Sequence, residues 1–515
     1  MSLLDKLQRK KGKKWIIIYI VLSVNLITFL ALIQTIKPYW YEINSEVSSW
    51  VGFDFDIVLL VRIILLLPLL YGLPLIFINI KRFTKTDEIT PHILNRILPI
   101  ILIIFYFILF SVILYLLDMF GEYKKILYVL DFYSLFFFYI IDILLILLLY
   151  PIFKVLLKIK NYFSERIIDS NKKTIILFFC LIILYFFAFI FPILYIPTTV
   201  IYGKLPLKPG LIAHRGASSL APENTIEAGI AALDYDSVVG WEVDIRISID
   251  GVPFLMHDDT LLRTTNISDH FPNRKFDKAE TFTISELREL DAGTWFIKKD
   301  PFGTISDGII SDLKAESYRG IKIPTFEEIL NFTRDNDLFL DFDPYRPESS
   351  HPFYDEFYEI LLNMTIDSGV NLDKIMIPTS NSEWIEMINN RAPEILLGMT
   401  GSPSEVDFVS SPHNYSYINT GDTYSNNGYR ALYKANISIM VYTIEAKERH
   451  SQLWCLGVKW VKTNSPYKFN DLEEPLWYMY FWSYEIVWII FIITALSSTI
   501  ILRVMLSKKR EIGYL

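Results

Sequence analysis

Six apolar runs constrain this chain before any other feature does. They lie near residues 15–36, 57–80, 93–117, 131–153, 174–196 and 479–502. Each is long enough, at roughly 20 residues, to cross a hydrocarbon core as a helix. Between the fifth and sixth runs lies a stretch of opposite character, rich in Asp, Glu, Ser, Thr, Asn and Pro. The expected plan is five spans in 1–204, a water-soluble fold in 205–475, and a sixth span with its tail in 476–515. Composition agrees: 52% apolar and only 21% charged residues is too apolar for an ordinary soluble protein.

The first run could instead be a signal peptide behind the basic start "RKKGKK". It is long for such a segment, however, and no small-residue cleavage site follows it. Loop charges set the orientation. Segments 1–14, 81–92, 154–173 and 503–515 hold 6, 3, 6 and 4 Lys plus Arg, while loops 37–56 and 118–130 hold 1 and 2. The positive-inside rule then places both termini in the cytoplasm. The large domain is expected outside the cell or in the lumen, on a multi-pass protein of the plasma membrane or an endomembrane. Asn266, Asn331, Asn363, Asn414 and Asn436 all begin N-x-S/T acceptors inside that domain, as a translocated glycoprotein would permit. Cys180 lies in a span and Cys455 in the soluble domain, so no disulfide framework forms within it.

Arg62 and Asp142 fall inside expected spans, where charges are expensive and usually paired. A structural pair between two helices is one reading, and a transport pathway the other. The basic juxtamembrane clusters anchor helices or bind lipid. A net charge of −8 argues against nucleic acid as a partner, and no glycine-rich nucleotide loop or zinc-type cluster is present.

Within the soluble domain, short apolar strands alternate with helical patterns. "GLIAHRG", "VVGWEVDIRIS", "LFLDFD", "KIMIPT", "EILLGMTG", "ISIMVYTI" and "LGVKWVKTN" read as strands, with helix-like "NTIEAGIAALDYD", "PTFEEILNFTRDN" and "EAKERHSQLWCLG" between them. Such alternation implies parallel pairing and an α/β class. About 260 residues suits a TIM (β/α)8 barrel, whose active groups sit at the C-terminal ends of strands. An open doubly wound sheet is the alternative. Charged residues collect at those strand ends: His214 and Arg215, Glu242 and Asp244, Asp341 and Asp343, then Lys462 and Asn464.

Side chains two apart on a strand point the same way. Glu242 with Asp244, and Asp341 with Asp343, therefore form two carboxylate pairs facing one pocket. Packed that closely they repel, unless one is protonated or a cation lies between them. Oxygen ligands select a hard ion, Ca²⁺ or Mg²⁺. Solvated strand-end acids without an ion are the plainer alternative. His214 and His257 also sit at strand ends beside acids. Two histidines, an arginine and a divalent-ion site suit phosphodiester cleavage, one histidine taking a proton and the other giving one. Arg215 can grip phosphate with two parallel hydrogen bonds.

"HRGASSLAPENTIEAG" followed by "EVDIRISIDGVPFLMHDDTLLRTT" resembles the glycerophosphodiester phosphodiesterase family, and "LDAGTWF", "DPFGT", "KIPTFEEIL" and "LWCLGVKWVKTNSP" agree. The resemblance covers roughly residues 210 to 470. With five spans before the domain and one after, the chain looks like the six-transmembrane branch, whose catalytic domain faces outward. The resemblance implies a TIM barrel with one divalent cation in its mouth. It makes His214 and His257 the acid–base pair, Arg215 a phosphate ligand, and Glu242 and Asp244 metal ligands. The family's third ligand is usually a glutamate; in "FLDFDPY" Asp341 takes its place, and the six-span branch tends to have aspartate there. Asp343 then stands where relatives usually carry Lys or Arg. Either it joins the metal shell, favouring Ca²⁺, or phosphate binding is weaker. Lys462 is the candidate to restore the missing charge. Trp295 and Tyr442 line the substrate cleft or merely pack.

The implied mechanism begins with attack by a neighbouring substrate hydroxyl, giving a cyclic phosphate that water opens. The expected substrate is a glycerophosphodiester, soluble (glycerophosphocholine, glycerophosphoinositol) or lipid-linked (a lysophospholipid or glycosylphosphatidylinositol anchor). A catalytically weak receptor or scaffold of the same fold is the alternative, with a transporter or channel behind it.

Overall fold

The computed structural model describes residues 194–511 apart from Thr423, with scattered residues before them, among them 97–105 and 130–135. The first five expected spans lie largely outside the described residues, as do Arg62 and Cys180, so the expected Arg62–Asp142 pair does too. The chain divides into two units, 1–127 with 300–304 and 128–299 with 305–515. Described residues 97–105 of the first are helical. All that follows belongs to the second.

Its centre is eight parallel strands: β1 (Gly210–Ala213), β2 (Val238–Ile247), β3 (Phe339–Pro344), β4 (Ile375–Pro378), β5 (Leu396–Thr400), β6 (Tyr417–Gly421), β7 (Ser438–Tyr442) and β8 (Trp460–Thr463). Each pairs with the next, and β8 returns to β1 through Trp460 opposite Gly210 and Lys462 opposite Ile212. The sheet is a closed barrel, which removes the open doubly wound alternative. Helices follow the first seven strands: α1 (Ile226–Leu233), α2 (Phe326–Asp335), α3 (Phe357–Asp367), α4 (Ser382–Arg391), α5 (Glu405–Val409), α6 (Asn426–Lys434) and α7 (Lys447–Cys455). Their starts are written in the sequence. Thr225 caps α1, and Thr325 with Glu328 forms a reciprocal capping box on α2.

The barrel interior changes character along its axis. Every strand contributes one residue to an apolar floor: Ile212, Val239, Phe339, Met376, Leu396, Tyr417, Met440 and Trp460. Two residues further on, the same face turns charged on β3 and β8, in Phe339–Asp341–Asp343 and Trp460–Lys462. Strand β2 needs a correction to do this, because Val239 and Glu242 are three apart and would face opposite ways. A register shift between β1 and β2 at Leu211/Ile212 supplies it. Beyond Ile247 the chain returns as a short strand, Pro253–Leu255, antiparallel to β2, with Ile245 opposite Leu255. That hairpin delivers His257 to the mouth.

The C-terminal helix α8 (Phe481–Glu511) contains Phe481–Ser498, which is long and apolar enough to cross a membrane by length and composition. The chain enters and leaves the barrel region side by side, through a two-residue parallel ladder, Val200 with Met479 and Ile201 with Tyr480. Tyr202 stacks on Phe481 at 4.5 Å. Nearby, Asp131 accepts hydrogen bonds from Thr198 and Gln452, and the Tyr128 hydroxyl donates to the Asp422 carbonyl. Cys455 is buried and free.

Candidate active site

The mouth of the barrel is built first by the turn after β1. Arg215 and Gly216 both have left-handed backbones, at φ +51° and +77°. A Cβ on Gly216 would lie 2.4 Å from the Ala228 Cβ, so the turn tolerates only glycine there. The turn aims the Arg215 amide at Glu242 Oε2, 2.8 Å away. Its guanidinium reaches Glu223 at 3.2 Å and Asp244 at 3.4 Å.

Strands β2 and β3 run in register, Glu242 beside Asp341 and Asp244 beside Asp343. Glu242, Asp244 and Asp343 each offer an oxygen within 4.8 Å of the others, an arrangement that could hold a metal ion. Asn224 fixes Asp244, donating from Nδ2 to Oδ2 at 2.8 Å while its own carbonyl accepts from the Asp244 amide. Burial first, then the Asp244 carboxylate, pushes Glu242 well above the usual range. Burial also raises Asp343 to about 7, with Asp341 and Asp244 adding to it against the pull of Lys462. Glu242 and Asp343 thus resist ionisation beside Asp244, and oxygen-only donors suit a hard divalent cation.

Asp341 lies beside Glu242, two residues before Asp343 on the same strand. Its carboxylate forms an ion pair with Lys462 Nζ at 2.6 Å, both side chains almost wholly buried. The structure thus brings Asp343, and not Asp341, together with Glu242 and Asp244. Lys462 is directed at Asp341, and the surrounding carboxylates hold it protonated against burial. With Asp343 in the triad, the residue two further along the same face is Tyr345. Its ring meets His257 edge-on at 6.0 Å and carries the Arg246 guanidinium at 4.9 Å.

The histidines flank this triad with different partners. His214 Nδ1 lies 2.7 Å from Asn464 Oδ1, which also accepts from the Ser218 hydroxyl. An amide oxygen only accepts, so Nδ1 carries the hydrogen and Nε2 presents its lone pair, 3.8 Å from Glu242 Oε2. Burial, and then the Arg215 charge, keeps His214 well below its ordinary value, hence neutral. His257 is more open. Its Nδ1 meets Asp258 Oδ1 at 2.8 Å, and Arg246 Nη2 holds its backbone carbonyl at 2.9 Å.

Two expected cleft residues are placed differently from each other. Trp295 is buried, its indole donating to the Ala292 carbonyl, and it lies under Arg263 at 5.8 Å. Tyr442 is 37% exposed and sits 5.5 Å from Lys462 Nζ, at the rim. The sequence reading does not single out Glu223, Asn224, Arg246, Asp258 or Arg263. Glu223, Asn224, Asp258 and Arg263 lie in loops, where no period marks them, whereas Arg246 continues the Glu242–Asp244 alternation inside β2.

The sequence profile of the glycerophosphoryl diester phosphodiesterase family matches residues 214–468. The mouse glycerophosphoinositol inositolphosphodiesterase GDPD2 is 33% identical over 323 residues, covering 60% of this chain and 57% of the relative. The human glycerophosphodiester phosphodiesterase domain-containing protein 5 is 32% identical over 341 residues, covering 64% and 54%. The chain thus spans about half the length of the curated relatives it matches. Among solved structures, the glycerophosphodiester phosphodiesterase of Agrobacterium tumefaciens is similar at 23% identity and a TM-score of 0.39, covering 51% of this chain and all of that one.

Proposed function

Through its barrel the chain belongs to the glycerophosphoryl diester phosphodiesterase family, and from that premise we propose that it hydrolyses glycerophosphodiesters while anchored in a membrane. The observation that carries the reading is the convergence at one mouth of Glu242, Asp244 and Asp343 with His214, His257 and Arg215.

Glu242, Asp244 and Asp343 are the residues that would hold a divalent cation. Such an ion, when bound, supplies Lewis-acid charge to phosphoryl oxygens. Arg215 adds hydrogen-bonding charge for the same oxygens. His214, neutral with an open Nε2, takes the proton from the attacking hydroxyl. His257, its Nδ1 fixed by Asp258, gives the proton at Nε2 to the leaving oxygen. A substrate hydroxyl beside the phosphate attacks first, and water opens the cyclic product with the two histidines exchanging roles. Ca²⁺ fits a three-carboxylate set better than Mg²⁺, which prefers to keep several waters.

The apolar runs and α8 support anchoring, and the loop charges support a domain outside the cytoplasm with both termini inside. The name of the mouse relative makes glycerophosphoinositol the first soluble substrate to try, with glycerophosphocholine beside it. Lipid-linked diesters, including glycosylphosphatidylinositol-type anchors, are the second class. The scaffold alternative turns on Asp343 as an acid in a phosphate position; an oxygen within 4.8 Å of Glu242 and Asp244 supports a metal-binding role for it instead.

The test uses the full chain in detergent, with product release measured under Ca²⁺, Mg²⁺ or EDTA. Chelation should abolish turnover, as should His214→Ala and Glu242→Ala. Turnover indifferent to all three would sink the proposal.

A further inference from the structure

The mouth contains a side-chain chain that joins the two halves of the proposed machinery. Arg263 follows the hairpin that carries His257. Its Nη1 and Nη2 fork onto Glu223 at 2.7 and 2.6 Å, and its Nε and Nη2 fork onto Asp258 at 2.6 and 2.9 Å. Each carboxylate then continues outward. Asp258 accepts from His257 Nδ1 at 2.8 Å, and Glu223 accepts from Arg215 Nη1 at 3.2 Å. One guanidinium thereby lies midway between the second histidine and the phosphate-binding arginine.

The surroundings fit an element held for geometry. Arg263 rests over the Trp295 ring, which its own indole bond to Ala292 keeps in place. Glu223 is buried, and although burial acts to raise it, Arg263 and then Arg215 hold it down to about 2. The His257 backbone is tied separately, by Arg246, which also pairs with Asp259 and Glu280. The loop therefore has an anchor of its own. What Arg263 adds is the direction of the imidazole and a fixed spacing to Arg215. Only a planar fork can serve two carboxylates at once; a lysine ammonium cannot reproduce the double bidentate geometry.

We propose that Arg263 is a positioning residue: it orients His257 through Asp258 and sets Arg215 through Glu223. This rests on the proposed diesterase reading. The experiment compares wild type, Arg263→Lys, Arg263→Gln, Asp258→Asn and the double variant Arg263→Gln/Asp258→Asn, as full chains in detergent on glycerophosphoinositol. Kcat should fall roughly 10- to 100-fold in R263Q and in D258N, with KM within about threefold of wild type. The double variant should lose no more than the worse single one, because both act through the same ring. R263K should stay as slow as R263Q. Wild-type kcat in a folded R263Q, additive losses, or full rescue by lysine would each overturn the assignment. Should R263Q fail to fold, R263K against D258N carries the same comparison.

If the wild type turns over no diester, the diesterase reading fails on its own. Arg263 is then judged by the diethylpyrocarbonate reactivity of His257, followed by mass spectrometry. That rate should change several-fold between wild type and R263K; an unchanged rate overturns the inference.

Discussion

Replacing Lys462 with methionine should destabilise the barrel and leave substrate binding little changed. Lys462 Nζ and Asp341 are 2.6 Å apart, with side chains 3% and 0% exposed. At an effective dielectric of about 20, two unit charges at that distance attract by roughly 6 kcal/mol. Desolvation of both groups offsets much of this, so the pair is a modest net stabiliser. Removing one partner is a different matter, since it leaves Asp341 buried without a counter-charge beside three more carboxyls. The expected cost is about 3–5 kcal/mol. For a domain of this size each kcal/mol lowers the melting midpoint by roughly 2–4 °C, giving a fall of about 10 °C. The assay is thermal unfolding of the full chain in detergent, run on Lys462→Met and on the double variant Lys462→Met/Asp341→Leu. The double variant removes both charges and should recover at least half of the loss. If Lys462 instead contacts phosphate, K462M keeps its melting midpoint and raises KM. That pattern would refute the ion-pair reading.

Three further outcomes are expected. Gly216→Ala places a methyl 2.4 Å from the Ala228 Cβ at a positive φ, and should leave little folded protein when expression and melting are compared with wild type. Ca²⁺ should raise the wild-type melting midpoint and Asp343→Asn should abolish that rise, whereas Asp341→Asn should lower the midpoint without Ca²⁺ present. His450 is buried against Phe469, ring to ring at 4.8 Å, and burial holds it down to about 3. Its folded value lies below its unfolded one, so its contribution is whole above pH 6.5 and lost as pH falls from there toward 3. His450→Phe should flatten that acid limb of the melting curve, by up to about 1.4 kcal/mol per pH unit.

The residue pattern displayed the barrel well where strands were apolar. It passed over β6, Tyr417–Gly421, because Asn419 and Thr420 make "YINTG" read as a loop. Both are buried in the sheet, where closure and not local hydrophobicity decides the state. That His214, Arg215, Glu242 and Asp244 gather at one mouth was legible from the strand pattern, although β2 runs on to Ile247 and does not end at Asp244. The third carboxylate was not. Asp341 and Asp343 share a face, and only the register of β3 against β2 tells which one lies level with Asp244. Period-two alternation is blind to a shift of two. Lys462 was misdirected for the same reason, since its depth depends on the pairing of β8 with β1. Asp258 and Arg263 come from loop residues that no periodicity relates, and only folding makes them neighbours.

The two-residue ladder between Val200–Ile201 and Met479–Tyr480 has an architectural consequence. The polypeptide runs into the barrel past Ile201 and comes back from it at Met479 on neighbouring parallel strands, whose paired residues lie about one strand spacing apart, near 4.8 Å. Residues 202–478 are bounded by that one seam, and Tyr128 and Asp131 tie the same region from outside it through Asp422 and Gln452.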